Sequence, residues 1–184
     1  MSETVVKGNI ELRRKLEEMA ESGAEPSEHR AMLEAISLEF PNTIRPLESS
    51  LPEGRYTCGM YVLEFPEDED YIDIARRGVP HVHAGRTFFE WLLAEDLLRE
   101  IDEADACEGD LTMYFDNGQW QHVGLWRLND RIESKWGLGL LYNHRRWEVP
   151  RNYGDEIRFF RSISPGKAIM HFMEYAQSRG APAH

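Results

Sequence analysis

The chain has 184 residues, of which 41% are hydrophobic and 11% aromatic, so it can bury the core of one globular domain. Lys and Arg together number 21 against 33 for Asp and Glu, which gives a formal net charge of −12. A surface this acidic repels phosphate groups, so we expect no nucleic-acid partner and no binding to anionic membranes.

The beginning of the chain is polar and charged and contains no apolar signal sequence. No apolar stretch reaches the ~18–20 residues that span a bilayer. We therefore expect a cytoplasmic protein whose two cysteines, Cys58 and Cys107, stay reduced.

Two helices are predicted within residues 1–40, which we expect to form a helical extension packed on a main domain, 41–184. Leu12, Leu16 and Met19 recur at helical spacing in the first helix. A second helix should begin after Ser27 as its N-cap and end at Pro41.

The middle of the chain contains a short apolar run that begins at Cys58 and an acidic run, 67–70, which we expect to be a solvated loop. Thr87 and Glu90 have the spacing of a capping box and predict the start of the strongest helix.

Beyond Gly109 the pattern is typical of strands. Asn117-Gly118 separates two apolar runs, 111–115 and 120–126, and predicts a β-hairpin. Further strands are predicted at 131–136 and 156–161, and Ser164-Pro165 predicts the start of a final helix. Helices followed by an antiparallel meander indicate an α+β fold.

Cys58 and His122 are the main candidates for chemistry. If the apolar run is a helix, the thiol lies at its N-terminus, where free amides and the positive end of the dipole favour the thiolate. The same amides can hold an oxyanion. The alternative is that Cys58 is a small buried hydrophobe. His122 lies in the second hairpin strand, where a rigid element would hold it as a general base.

The residues around this pair also carry a resemblance. After Cys58 come Gly109-Asp110-Leu111, Tyr114-Phe115, a short hairpin and His122-Val123-Gly124-Leu125. From Cys58 to about Arg161 this order resembles the NlpC-type and CHAP-type papain-like hydrolases, which are mainly bacterial cell-wall peptidases and amidases. The resemblance implies a papain-like fold with an antiparallel sheet packed against helices. It also implies a peptide, amide or acyl substrate, with Cys58 as nucleophile and His122 as base.

The third member of such a site is left open by the sequence. The resemblance places the residue that orients the imidazole at Ser134, with Glu133 beside it. His144 is a third option if the segment between them folds back. At the nucleophile, enzymes of the NlpC type usually have Asp-Cys-Ser, whereas this chain has Thr57-Cys58-Gly59.

Other candidate residues lead to weaker hypotheses. His81 and His83 would share one face of a strand and could bind a metal. No further ligand has suitable spacing, so we expect no metal and no cofactor. Cys107 lies among carboxylates, which raise the pKa of a thiol, so we expect it to be unreactive. The main alternative function is a non-catalytic domain of the same fold that binds a protein or peptide partner.

Overall fold

A computed structural model describes residues 3–51, 56–76, 82–137 and 139–181, and the elements below belong to these ranges. The helices are α1 (Glu3–Glu21), α2 (Pro26–Glu39), α3 (Cys58–Val62), α4 (Glu69–Arg76), α5 (Arg86–Ala94) and α6 (Pro165–Ser178). The strands are β1 (Arg45–Leu47), β2 (Glu100–Ile101), β3 (Leu111–Asp116), β4 (Gln119–Arg127), β5 (Arg131–Lys135), β6 (Leu141–Arg145) and β7 (Glu156–Phe160).

The strands form one seven-stranded sheet in the order β1-β6-β5-β4-β3-β7-β2. Every neighbouring pair is antiparallel, which confirms the predicted α+β class. The β3–β4 hairpin turns at Asn117 and Gly118, whose φ angles are 49° and 76°. Positive φ at both positions is the requirement of the predicted hairpin turn.

The two faces of the sheet bury two separate hydrophobic clusters because side chains alternate along each strand. On one face, Met113, Phe115 and Val123 pack with residues of α4, α5 and α6. On the other face, sheet residues such as Tyr114 and Ile132 pack with α1 and α2. The apolar side chains predicted for the first helix are buried there: Leu12, Leu16 and Met19.

Both predicted N-terminal helices are present, but the cap of the second differs from the prediction. Helix α2 begins at Pro26, so Ser27 is already inside the helix. Glu25 and Glu28 form the capping box instead, and the Glu28 carboxylate accepts from the Glu25 amide at 2.8 Å. Pro26 suits the first turn because its missing N–H has no partner there in any helix.

Two other predictions in the middle of the chain are wrong. Thr87 does not cap α5, because the helix begins after Gly85 and the Thr87 hydroxyl lies 2.7 Å from the Tyr175 hydroxyl. Within the predicted solvated loop, Glu69 and Asp70 form the first turn of α4, where carboxylates favour a helix N-terminus. None of the described helices is long and apolar enough to cross a membrane.

Candidate active site

The start of the apolar run is a short helix, α3, and Cys58 is its first residue. Thr57 is the N-cap, and its hydroxyl accepts a hydrogen bond from the Met60 amide at 3.4 Å. A Cβ atom at Gly59 would lie 2.4 Å from the Ala84 carbonyl oxygen. This close approach requires glycine at position 59.

The N-terminus of α3 meets the sheet where β4 and β5 separate. These strands pair from Leu125 opposite Glu133 to Arg127 opposite Arg131. Before Leu125, β4 continues its pairing with β3 alone, and α3 packs against both β4 and β5. The backbone of Val123 lies close enough to lower the pKa of the Cys58 thiol, so the thiol borders the residue that follows His122.

His122 is buried with an unused nitrogen. The residue is 1% exposed, and its Nε2 atom has no hydrogen-bond partner among the described residues. The Tyr153 ring stacks on the imidazole at 3.9 Å between centroids and 16° between planes. An unsatisfied buried nitrogen costs stability, so it requires an explanation, and a catalytic role is one such explanation.

Tyr153 is a site residue that sequence reasoning missed. It ends a 3-10 turn, Arg151–Tyr153, in the connection between β6 and β7. Its pKa is raised well above the usual value, first by burial and second by the negative charge of an ionised Cys58, while the Gly137 amide lowers it by hydrogen bonding. Tyr153 therefore lies near both members of the pair. No local sequence pattern marks this contact, which depends on long-range packing.

The resting thiol is not activated, which corrects the expectation from the sequence. Burial is the largest effect and raises the pKa of Cys58 to about 11, although the amides of Val123, Gly59 and Cys58 itself act in the opposite direction. Burial also holds the pKa of His122 well below 6.5, and the nearby His144 lowers it further. Both groups are therefore neutral at pH 7.

Two of the candidates for the third site residue, Ser134 and His144, bond to each other. The Ser134 hydroxyl donates to His144 Nε2 at 2.8 Å, because His144 Nδ1 already donates to the Arg145 carbonyl at 2.8 Å. The Trp136 indole N–H completes this chain by donating to Ser134 at 3.0 Å. No described hydrogen bond links these side chains to His122, so the expected orienting bond is not found. Burial lowers the pKa of His144 to about 4.

Glu133, the remaining candidate, is engaged elsewhere. Its carboxylate accepts from the Tyr61 hydroxyl and from Arg127 Nε at 3.1 Å. Burial and this hydrogen bond with Glu133 raise the pKa of Tyr61. Glu133 therefore fixes α3 to the sheet rather than orienting the imidazole.

A cleft of about 590 Å³ adjoins α3. Tyr61, one turn after Cys58, lines it, whereas Cys58 is absent from the described lining. The negative charge of the lining opposes the entry of an anionic group. Its five carboxylates belong to Glu48, Glu64, Glu67, Asp68 and Glu133.

The hypothetical metal pair and the second cysteine lie apart from this site. His81 is outside the described residues, and His83 is exposed at a bend rather than on the predicted strand. The described part of the chain contains no group of three potential metal-ligating side chains. Cys107 is exposed in the loop before β3.

Asp110, from the Gly-Asp-Leu motif, has a structural role. It is 2% exposed and accepts hydrogen bonds from Arg161 Nη1 at 2.7 Å and from the Cys107 amide at 2.8 Å. It also accepts from the Ser162 amide at 3.2 Å. The motif therefore joins the start of β3 to the end of β7.

No family model, no curated protein and no solved structure matches the chain. The arrangement of Cys58, His122 and Tyr153 is thus the main support for a function.

Proposed function

We propose that this chain is a cysteine hydrolase or acyltransferase with a papain-like domain, acting on an amide, peptide or ester bond through Cys58 and His122. One observation carries the proposal. His122, whose buried Nε2 has no partner among the described residues, lies in β4, the strand against which α3, the helix that begins at Cys58, packs.

In the proposed reaction, Cys58 Sγ attacks the substrate carbonyl carbon while its proton moves to His122 Nε2. A carbon–sulfur bond forms, and the carbonyl electron pair moves to oxygen, where free amides at the start of α3 stabilise it. The imidazolium then gives its proton to the leaving group as the carbon–nitrogen or carbon–oxygen bond breaks. Water or an acceptor nucleophile removes the acyl group in a second step of the same kind.

The protonation states of Cys58 and His122 before the reaction determine how the proton must move. With a Cys58 pKa of about 11, almost no thiolate is present at pH 7. His122 must therefore act as a general base during the attack, a role that contributes typically about 10²–10⁴-fold to a rate.

Acylation by p-nitrophenyl acetate tests the proposal. The protein is incubated with the ester, and acetylation of each cysteine is followed by mass spectrometry from pH 6 to 10. We expect acetylation of Cys58 to be nearly constant from about pH 7 to 9, since a neutral His122 supplies the base throughout this interval. His122→Ala should slow it at least about 10²-fold.

Two variants provide the controls. Cys107→Ala removes the exposed thiol, and His83→Ala removes an exposed imidazole outside the site, so neither should change the rate at Cys58. Two outcomes would contradict the proposal. In one, acetylation of Cys58 is equally fast in His122→Ala; in the other, its rate rises steadily with pH, as the acetylation of a free thiol does.

A non-catalytic domain that binds a protein or peptide is the second candidate. The observation that favours it is that both Cys58, which is partly buried, and His122, which is fully buried, are neutral at pH 7. It predicts that folded protein leaves Cys58 unmodified by the ester, while Cys107 reacts slowly as an ordinary exposed thiol.

A further inference from the structure

Arg13 of α1 is buried although it is an arginine, with 7% of the residue exposed. Its guanidinium points into the connection between β6 and β7 and contacts five residues there. Nε donates to the Val149 carbonyl at 3.4 Å, and Nη2 to the carbonyls of Gly154 at 2.5 Å and Arg151 at 3.3 Å. Nη1 donates to the Asp155 carboxylate at 2.5 Å, and the guanidinium lies 5.4 Å from the centre of the Trp147 ring.

This connection has little regular structure of its own. It contains the single 3-10 turn that ends at Tyr153, and its inward carbonyl groups need donors from elsewhere. A guanidinium offers five N–H groups in a rigid planar fork, so one side chain can satisfy several acceptors at once. Arg13 thereby fixes the backbone on both sides of Tyr153.

The backbone of Gly154, the residue after Tyr153, is fixed by the sheet as well as by Arg13. Gly154 has a φ of +102°, and a Cβ atom there would lie 2.1 Å from the Phe115 carbonyl oxygen at the end of β3. Gly154 is therefore held between Arg13 and the sheet. Because the backbone on both sides is fixed, the Tyr153 ring can occupy few positions. It stacks on His122.

We propose that Arg13 is a positioning residue, which clamps the 147–155 connection around its guanidinium and so holds the Tyr153 ring on His122. The consequence for thiol chemistry rests on the proposed function, whereas the clamp itself does not. The helical extension that the sequence predicted is then the element that keeps His122 enclosed.

The titration of His122 reports on this enclosure. The titratable groups around the imidazole are Tyr114 from β3, Tyr153 from the clamped connection and His144 from β6. Burial is the main reason that the pKa of His122 is low. If the Tyr153 ring leaves, water reaches the imidazole and this pKa rises toward its ordinary value.

Arg13→Gln and Arg14→Gln form a matched pair for the test. Arg14 is the next residue of α1, and its partners Glu11 and Glu18 lie in the same helix, so its removal leaves the connection untouched. Imidazole titrations by NMR are recorded on the full chain. Arg13→Gln should raise the pKa of His122 by about one pH unit or more, since burial alone shifts such groups by up to about 3–5 units. Arg14→Gln should leave it unchanged.

Arg13→Lys keeps a cation near Asp155 without the planar fork, and it serves if the glutamine variant does not fold. It should raise the His122 pKa by a smaller amount than Arg13→Gln. A folded Arg13 variant whose His122 titration equals that of the parent protein would overturn the proposal. A second outcome would separate the two proposals. If the pKa of His122 rises in the Arg13 variants but acetylation of Cys58 does not depend on His122, the proposed function is rejected and the proposed clamp is supported.

Discussion

The buried histidine at position 144 leads to a prediction about acid stability. Burial lowers its pKa from 6.5 to about 4. The unfolded chain therefore takes up a proton at higher pH than the folded protein does, and acid favours unfolding. The stabilising contribution is complete above pH 6.5 and is lost progressively as the pH falls to about 4.

The size of the stability loss in acid follows from the shift in the pKa of His144. At about 1.4 kcal/mol per pH unit, the shift of His144 corresponds to a loss of about 3 kcal/mol in the free energy of unfolding between pH 7.5 and pH 4. This is a large share of the ~5–15 kcal/mol that is typical of whole domains. His144→Gln keeps an acceptor for the Ser134 hydroxyl but cannot gain the proton.

Urea unfolding at a series of pH values measures this loss. Carboxylates also contribute to acid unfolding, so the relevant quantity is the difference between the parent protein and His144→Gln. The profile of the variant should be flatter by about 3 kcal/mol over this interval. His83→Gln replaces an exposed histidine and should run parallel to the parent protein. Parallel profiles for the parent protein and His144→Gln would refute the reasoning.

Two further predictions concern the backbone around the site. Gly154→Ala should destabilise the protein by about 3 kcal/mol or more, because its φ is +102° and the added Cβ would lie 2.1 Å from the Phe115 carbonyl oxygen. Gly109→Ala, with a φ of +93° and open space around the position, should cost only about 1 kcal/mol in the same urea assay. Equal losses would contradict the close approach. Thr57→Ala removes the cap from the Met60 amide and should cost about 1 kcal/mol. No change in unfolding would show that the cap has no energetic role.

Local patterns predicted those parts of the fold that local physics decides. Asn117-Gly118 gives a hairpin because both residues tolerate positive φ, and the spacing of Leu12, Leu16 and Met19 identifies the buried stripe of α1. The acidic start of α4 was misread although its signal is local. Carboxylates in a first turn are as typical of a helix N-terminus as of a loop.

The candidate site was predictable only in part, because its contacts join segments that are far apart in the sequence. Cys58 and His122 could be named from their own segments, but the partner of the imidazole could not. Tyr153 stacks on His122, and Arg13, more than a hundred residues earlier, donates to the carbonyl of the adjacent Gly154, so this contact joins segments far apart in the chain. The direction of the Cys58 pKa was also mistaken, since a helix start is visible in the sequence whereas the depth of burial is not.

Under the proposed function, the neutral states of Cys58 and His122 are compatible with chemistry at a partly buried thiol. The pKa of Cys58 is about 11 and that of His122 lies below 6.5, so moving the proton between the isolated groups costs at least about 6 kcal/mol. If the proposed proton transfer takes place with the two charges about 4 Å apart, their attraction recovers about 4 kcal/mol in a typical protein environment. The ion pair then lies a few kcal/mol above the neutral pair. The resting thiol is protected from adventitious electrophiles, and a carbonyl carbon that accepts the sulfur electrons as the proton leaves supplies the remaining free energy.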